Sequence, residues 1–151
     1  MNAVNRQFRN DSLLELKDAG LIAASAAATV SAVAKVLDTG GGFTDGNVVI
    51  DVTAIEIDTS NEIYTLILEG SSSSTFASTI VPLAVMLLGD NAVIVGGCDV
   101  DSTIGRYIMP FRNERDGTVY RYLRMYTVVA GTIATGGGIN YAAFLAKKLA
   151  G

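Results

Sequence analysis

Along most of this chain hydrophobic and polar residues alternate with a period of two, the pattern of strands that bury one face, and no stretch holds the 3.6-residue period of a long amphipathic helix. Val48–Ile57 is the clearest case: Val48, Ile50, Val52 and Ala54 fall on one side, Asp51 and Thr53 on the other. That pattern predicts a strand of a sheet with one face in the core. Thr59-Ser60-Asn61 supplies turn chemistry before Glu62–Leu68, so these two segments are expected to pair as a hairpin. Leu21–Ala24 reads as a short strand. Val30–Leu37 reads as another, with Val30, Ala32, Ala34 and Val36 opposite Ser31 and Lys35, ended by the flexible turn Asp38–Gly42. The longest β pattern is Val119–Ala130, where Tyr120, Tyr122 and Met125 interleave with Arg121 and Arg124.

Glycine and proline divide the rest. Gly70–Ser74 makes a loop. Phe76–Leu88 fits either a buried strand or a short helix, and Pro82 favours irregular chain followed by a strand. Val93–Val95 lies between the breaks Gly89-Asp90-Asn91 and Gly96-Gly97. Ile104–Phe111 contains Pro110, a residue suited to an edge strand. Gly136–Gly138 turns the chain into a last segment, Ile139–Leu145. About eight short strands separated by Gly, Ser, Asn and Asp predict an all-β sandwich or barrel. Residues 1–18 are the most polar part and read as an N-terminal arm, in which Leu13-Leu14-x-Leu16 fits a strand or a helical turn. Residues 19–151 read as a single β domain, with no internal repeat and no dividing linker.

A chain of 151 residues has room for one core. Half of it is hydrophobic, only 17% is charged, and the mean hydropathy is +0.39. That excess predicts apolar surface covered by partners, as in a dimer or trimer. The net charge of −4 and pI near 4.7 argue against a nucleic-acid partner. Arginines nonetheless cluster, at Arg6 and Arg9 and at Arg106, Arg112, Arg115, Arg121 and Arg124, but Glu114 and Asp116 interleave with them, the mark of a solvated or inter-subunit face. The lone Cys98 cannot form an intramolecular disulfide and is expected to be a buried structural thiol, in keeping with folding in a cytoplasm. The N-terminus has no continuous apolar run of the secretory kind. Gly70–Gly89 and Met125–Ala146 are uncharged and long enough to span a membrane, but their Ser, Thr, Gly and Pro82 identify them as β segments, so no membrane partner is expected.

There is no histidine. Within this chain, that removes Ser-His-Asp and Cys-His nucleophiles and the commonest metal ligand. Asp99 and Asp101 flank Val100 and would share one face of a strand, as a hydrolytic pair or a Ca²⁺ site requires, yet an exposed loop after Gly96-Gly97 accounts for them equally well. The glycines at 40–42 and 136–138 lack the lysine of a phosphate-binding loop and read as turns. No enzyme activity, metal or cofactor is expected.

Two passages go beyond generic β sequence. The first is Glu62-Ile-Tyr-Thr-Leu-Ile-Leu-Glu-Gly-Ser with Phe76-Ala77-Ser78 and Leu83–Gly89. The second is Tyr120-Arg-Tyr-Leu-Arg-Met-Tyr-Thr-Val-Val-Ala-Gly-Thr with Ala134–Gly138 and Ile139–Leu145. Together they resemble the jelly-roll cement, or decoration, proteins of tailed-bacteriophage capsids. The resemblance covers the C-terminal two-thirds of the chain and leaves the arm unmatched. It implies a jelly-roll β-sandwich that forms a homo-oligomer on the capsid exterior, binds the major capsid protein and reinforces the shell after synthesis in the host cytoplasm. The expected contacts are the arm, through Arg6, Phe8 and Arg9, and the end loops. The alternatives are another virion β-module, such as a tail or head-fibre part or a shell-forming jelly roll, and a ligand-binding β-sandwich. The last lacks tryptophan, and most of the six tyrosines fall inside strand patterns.

Overall fold

In a computed structural model, which describes residues 11–90 and 101–147, every regular element is a strand and every pairing is antiparallel. Six short strands come first: β1 (Glu15–Lys17), β2 (Leu21–Ile22), β3 (Ala26–Ala27), β4 (Thr29–Val30), β5 (Val33–Ala34) and β6 (Leu37–Asp38). The long strands β7 (Asp45–Ile55), β8 (Ile63–Ser71), β9 (Ile80–Gly89) and β10 (Gly105–Arg112) follow. After the small β11 (Glu114–Arg115) and β12 (Thr118–Val119) come β13 (Tyr122–Ala130) and β14 (Ile139–Lys147). One sheet has the order β1-β14-β7-β10, with β2 also on β14. The other has the order β3-β13-β8-β9, with β6 also on β13, while β4–β5 and β11–β12 form separate ribbons.

Alternation decides what each sheet buries. From the first sheet Val48, Ile50 and Val52, Met109 and Phe111, and Tyr141, Ala143 and Leu145 point inward; from the second, Tyr64, Leu66 and Leu68 with Leu123 and Met125 do so, and all belong to one cluster. Each fully buried large aliphatic side chain contributes roughly 1.5–3 kcal/mol, so the shared core holds the two sheets together. One polar pair bridges them inside it, the Thr127 and Tyr141 hydroxyls 2.7 Å apart. Both uncharged stretches prove to be β: Gly70–Gly89 runs from β8 into β9, and Met125–Ala146 from β13 into β14. The prolines sit where a missing N–H costs least. Pro110 lies in edge strand β10, and Pro82 in edge strand β9 where the register with β8 shifts.

Four expectations change in the structure. β7 and β8 do not form a hairpin: β7 pairs β14 and β10, whereas β8 pairs β13 and β9. The turn at residues 59–61 is real, but it carries the chain from one sheet to the other, and turn chemistry says nothing about which sheet receives it. Val30–Leu37 is not one strand. Ser31 (φ 52°) and Ala32 (φ 62°) are both left-handed, the backbone of a two-residue hairpin loop, and fold β4 back on β5. Leu21–Ala24 shortens to Leu21–Ile22. Residues 15–17, read from the sequence as arm, form β1 on β14, with Leu16 fully buried. Cys98 and the segment Val93–Val95 lie outside the described residues.

Candidate interaction surface

On the outer face of the second sheet, side chains from three adjacent strands align in rows. Tyr126 on β13 faces Ile67 on β8, which faces Val85 on β9; the next row is Val128, Thr65 and Leu87. Val85 and Leu87 are each 49% exposed and Val128 37%. Exposed aliphatics scattered singly need no explanation, whereas these align across paired strands, which makes the strip a candidate interface. One border of the strip is the Arg124–Glu69 ion pair, 2.7 Å long and mostly buried. The Arg124 guanidinium also stacks 4.2 Å from the ring centre of Phe76 and 5.6 Å from that of Tyr126. Phe76 is buried at φ 54°, a left-handed conformation uncommon for an aromatic residue, in a loop held by Ser71 Oγ donating to Ser78 O at 2.9 Å. A strained, anchored Phe76 fixes Arg124, and Arg124 fixes that edge of the strip.

The remaining arginines of the cluster are also paired. Arg106 grips Asp51 at 2.6 and 2.8 Å, and Arg121 grips Asp38 at 2.7 and 2.8 Å, each in a two-pronged contact. Arg112 and Arg115 lie 3.9 and 3.6 Å from Glu114 and Asp116. The bonds from Arg121, helped by the Gly40 N–H, hold the Asp38 carboxyl down at about 2. Exposed pairs like these add little to stability, so their main effect is to neutralise the arginine charge that the sequence displays.

The loops at the two ends of β7 differ in chemistry. At its start, Asn113 is a fully buried hub: Nδ2 donates to Gly42 O at 2.9 Å and Tyr120 O at 3.2 Å, and Oδ1 accepts from Thr44 N at 2.7 Å. Beside it an apolar cleft of about 360 Å³ lies between Leu14, Phe43, Phe111 and Leu145, with Phe43 exposed. At the far end of β7 the loops are acidic. Glu62 is fully buried; although burial alone would raise its pKa, hydrogen bonds from the Thr59 hydroxyl (2.6 Å), Thr59 N–H (2.7 Å) and Asn61 N–H (3.0 Å) hold it at about 2. Tyr64 donates to Glu56 O at 2.9 Å, and burial, with Glu56, Glu62 and Asp58 nearby, pushes its phenol up to about 12. Glu56 Oε1 accepts from Ala134 N at 2.8 Å, while Oε2 is buried with no partner.

Among the described residues, Lys17, 3% exposed, is a buried cation. Its ammonium donates to the carbonyls of Asp18, Gly20 and Tyr141 at 2.8, 3.0 and 2.9 Å and sits 4.7 Å from the Tyr141 ring centre. Burial pushes its pKa below the ordinary lysine value, with Asp18 opposing. Three carbonyls take its three protons, so it acts as a clip between β1 and β14 and needs no further ligand.

Arg6, Phe8 and Arg9 lie outside the described residues, as does Asp99. Asp101 is half-buried and belongs to none of the groups above. Among the described residues no set of three or more His, Cys, Asp or Glu is placed to hold a metal, and no helix is long and apolar enough to cross a membrane. The sequence reading passed over Glu56 and Glu62, although carboxylates on either side of a Thr-Ser-Asn turn are a signal for side-chain caps of the loop. No protein-family model matches the chain, and neither does any curated protein.

Proposed function

We propose that the chain is a structural protein of a tailed-phage virion, a jelly-roll cement protein that binds the outer surface of the major capsid protein lattice. Strand order supports the fold. With β1, β3 plus β6, β7, β8, β9, β10, β13 and β14 as positions one to eight, the sheets run 1-8-3-6 and 2-7-4-5, the arrangement of a jelly roll. The passages that resemble the cement proteins fall on β8, β9 and β13, three neighbours in the second sheet, and on β14.

The observation that carries the functional reading is the exposed aliphatic strip on that same sheet. A flat apolar face of this kind suits an isologous contact with a second copy, and an oligomer then engages several equivalent lattice sites at once. The arm, through Arg6, Phe8 and Arg9, and the end loops, through Phe43, are assigned to the capsid. Light scattering of the purified chain tests the reading together with a pull-down by emptied capsids: a discrete dimer or trimer retained on capsids is expected. Large self-assembled particles that ignore capsids would favour a shell-forming jelly roll instead, and a monomer that ignores them would remove the virion reading.

A further inference from the structure

Glu56 presents an unbalanced charge. Its side chain is about nine-tenths buried, Oε1 takes the Ala134 N–H, and Oε2 meets no donor at all. A buried carboxylate oxygen without a partner is destabilising unless something neutralises it. Among the described residues no hydrogen bond to Oε2 is found. The cleft beside Glu56, about 380 Å³, is lined by residues 54–56, 58 and 134–138 with Leu21, and contains a second carboxylate, Asp58, but no lysine or arginine. Oε2 lies against Gly137 in the space a Cβ would fill, so any other residue at 137 would force the carboxylate away. The loop is thereby built to hold an acid group in place while supplying it no counter-charge.

We infer that this cleft is a Ca²⁺ site, with Glu56 and Asp58 as the carboxylate ligands and the 134–138 loop supplying neutral oxygens. The chemistry of the lining selects a hard cation: Glu, Asp, the Thr135 hydroxyl and backbone carbonyls are all oxygen donors, and no sulfur or imidazole is present. Irregular loop geometry suits Ca²⁺, which accepts six to eight oxygens flexibly, over Mg²⁺, which demands a near-ideal octahedron. With two carboxylates and not three or four, affinity belongs in the range of roughly 10⁻⁴–10⁻³ M typical of weak extracellular modules. Binding would tie the loop before β8 to the loop before β14, and so lock one end of the two sheets together.

The test is thermal melting of the full chain in CaCl₂ up to 10 mM, against matched ionic strength in NaCl and against EDTA, for the wild type, Glu56→Gln and Asp58→Asn. A saturable rise of about 5 °C is expected for the wild type. It should be lost in both variants. Asp58 is exposed, so Asp58→Asn keeps the fold even if Glu56→Gln does not. Tb³⁺ supplies a second readout, since Tyr64, whose hydroxyl is 2.9 Å from Glu56 O, should sensitise its emission in the wild type and not in Asp58→Asn. Equal stabilisation of all three proteins by Ca²⁺, or no stabilisation of any together with no Tb³⁺ emission, would overturn the site.

Discussion

Glu62 shows how one buried carboxylate organises a connection between sheets. Its folded-state pKa of about 2 lies below the ordinary 4.5, so the folded chain binds fewer protons than the unfolded chain between those values. Its contribution to stability is complete above about pH 4.5 and is lost as the pH falls towards 2. Asp38, held at about 2 from 3.8, titrates in the same window. Chemical denaturation between pH 2 and 7 should therefore show an acid limb that Glu62→Gln flattens, with a loss of about 1–3 kcal/mol at pH 7, the usual worth of hydrogen bonds to a charged group. An unchanged acid limb in that variant would mean other carboxylates govern acid unfolding. Asn113 makes the complementary case for a neutral side chain. Asn113→Ala leaves the Thr44 N–H and the Gly42 and Tyr120 carbonyls without their partner, and is expected to cost about 2–4 kcal/mol by urea denaturation.

At the scale of elements, what the sequence makes legible is whatever a short range of residues decides. Period-two alternation locates β7, β8, β13 and β14, whose inward residues are mostly large and apolar, and the two prolines mark the edge strands. Alternation fails at residues 30–37, because Ser31 and Ala32 are small and exposed and themselves form a left-handed turn. The partner of β7 was also illegible: β14 begins more than eighty residues after it, and no local signal encodes a pairing at that distance. The acidic loops escaped notice for the same reason, since Glu56 meets Ala134 only in the folded chain. The outer strip on β8, β9 and β13 yields a prediction at this scale. Val85→Glu with Leu87→Glu should change stability by no more than about 1 kcal/mol, because both side chains point to solvent in the isolated chain. The double variant should run as a monomer in light scattering under conditions where the wild type associates; an oligomer of unchanged mass would place the contact elsewhere.

For the whole molecule, the two sheets, the shared core and the paired arginines describe a stable body, in which Val85, Leu87 and Val128 align part of the exposed apolar surface on one sheet while Leu13, Val33, Phe43 and Ile104 expose more of it elsewhere. A high hydropathy with few charges reads from sequence as covered surface, and the strip on the second sheet is where the fold puts part of it. The arm residues Arg6, Phe8 and Arg9 remain the proposed lattice contacts. The most direct test of the proposed cement role is cosedimentation of the purified chain with emptied capsids of its proposed source phage, over a range of concentrations. The cement reading predicts saturation at a fixed ratio of chain to major capsid protein, with Arg6→Ala, Phe8→Ala and Arg9→Ala together lowering the affinity. Binding that never saturates, or no binding at all by a correctly folded oligomer, would contradict it.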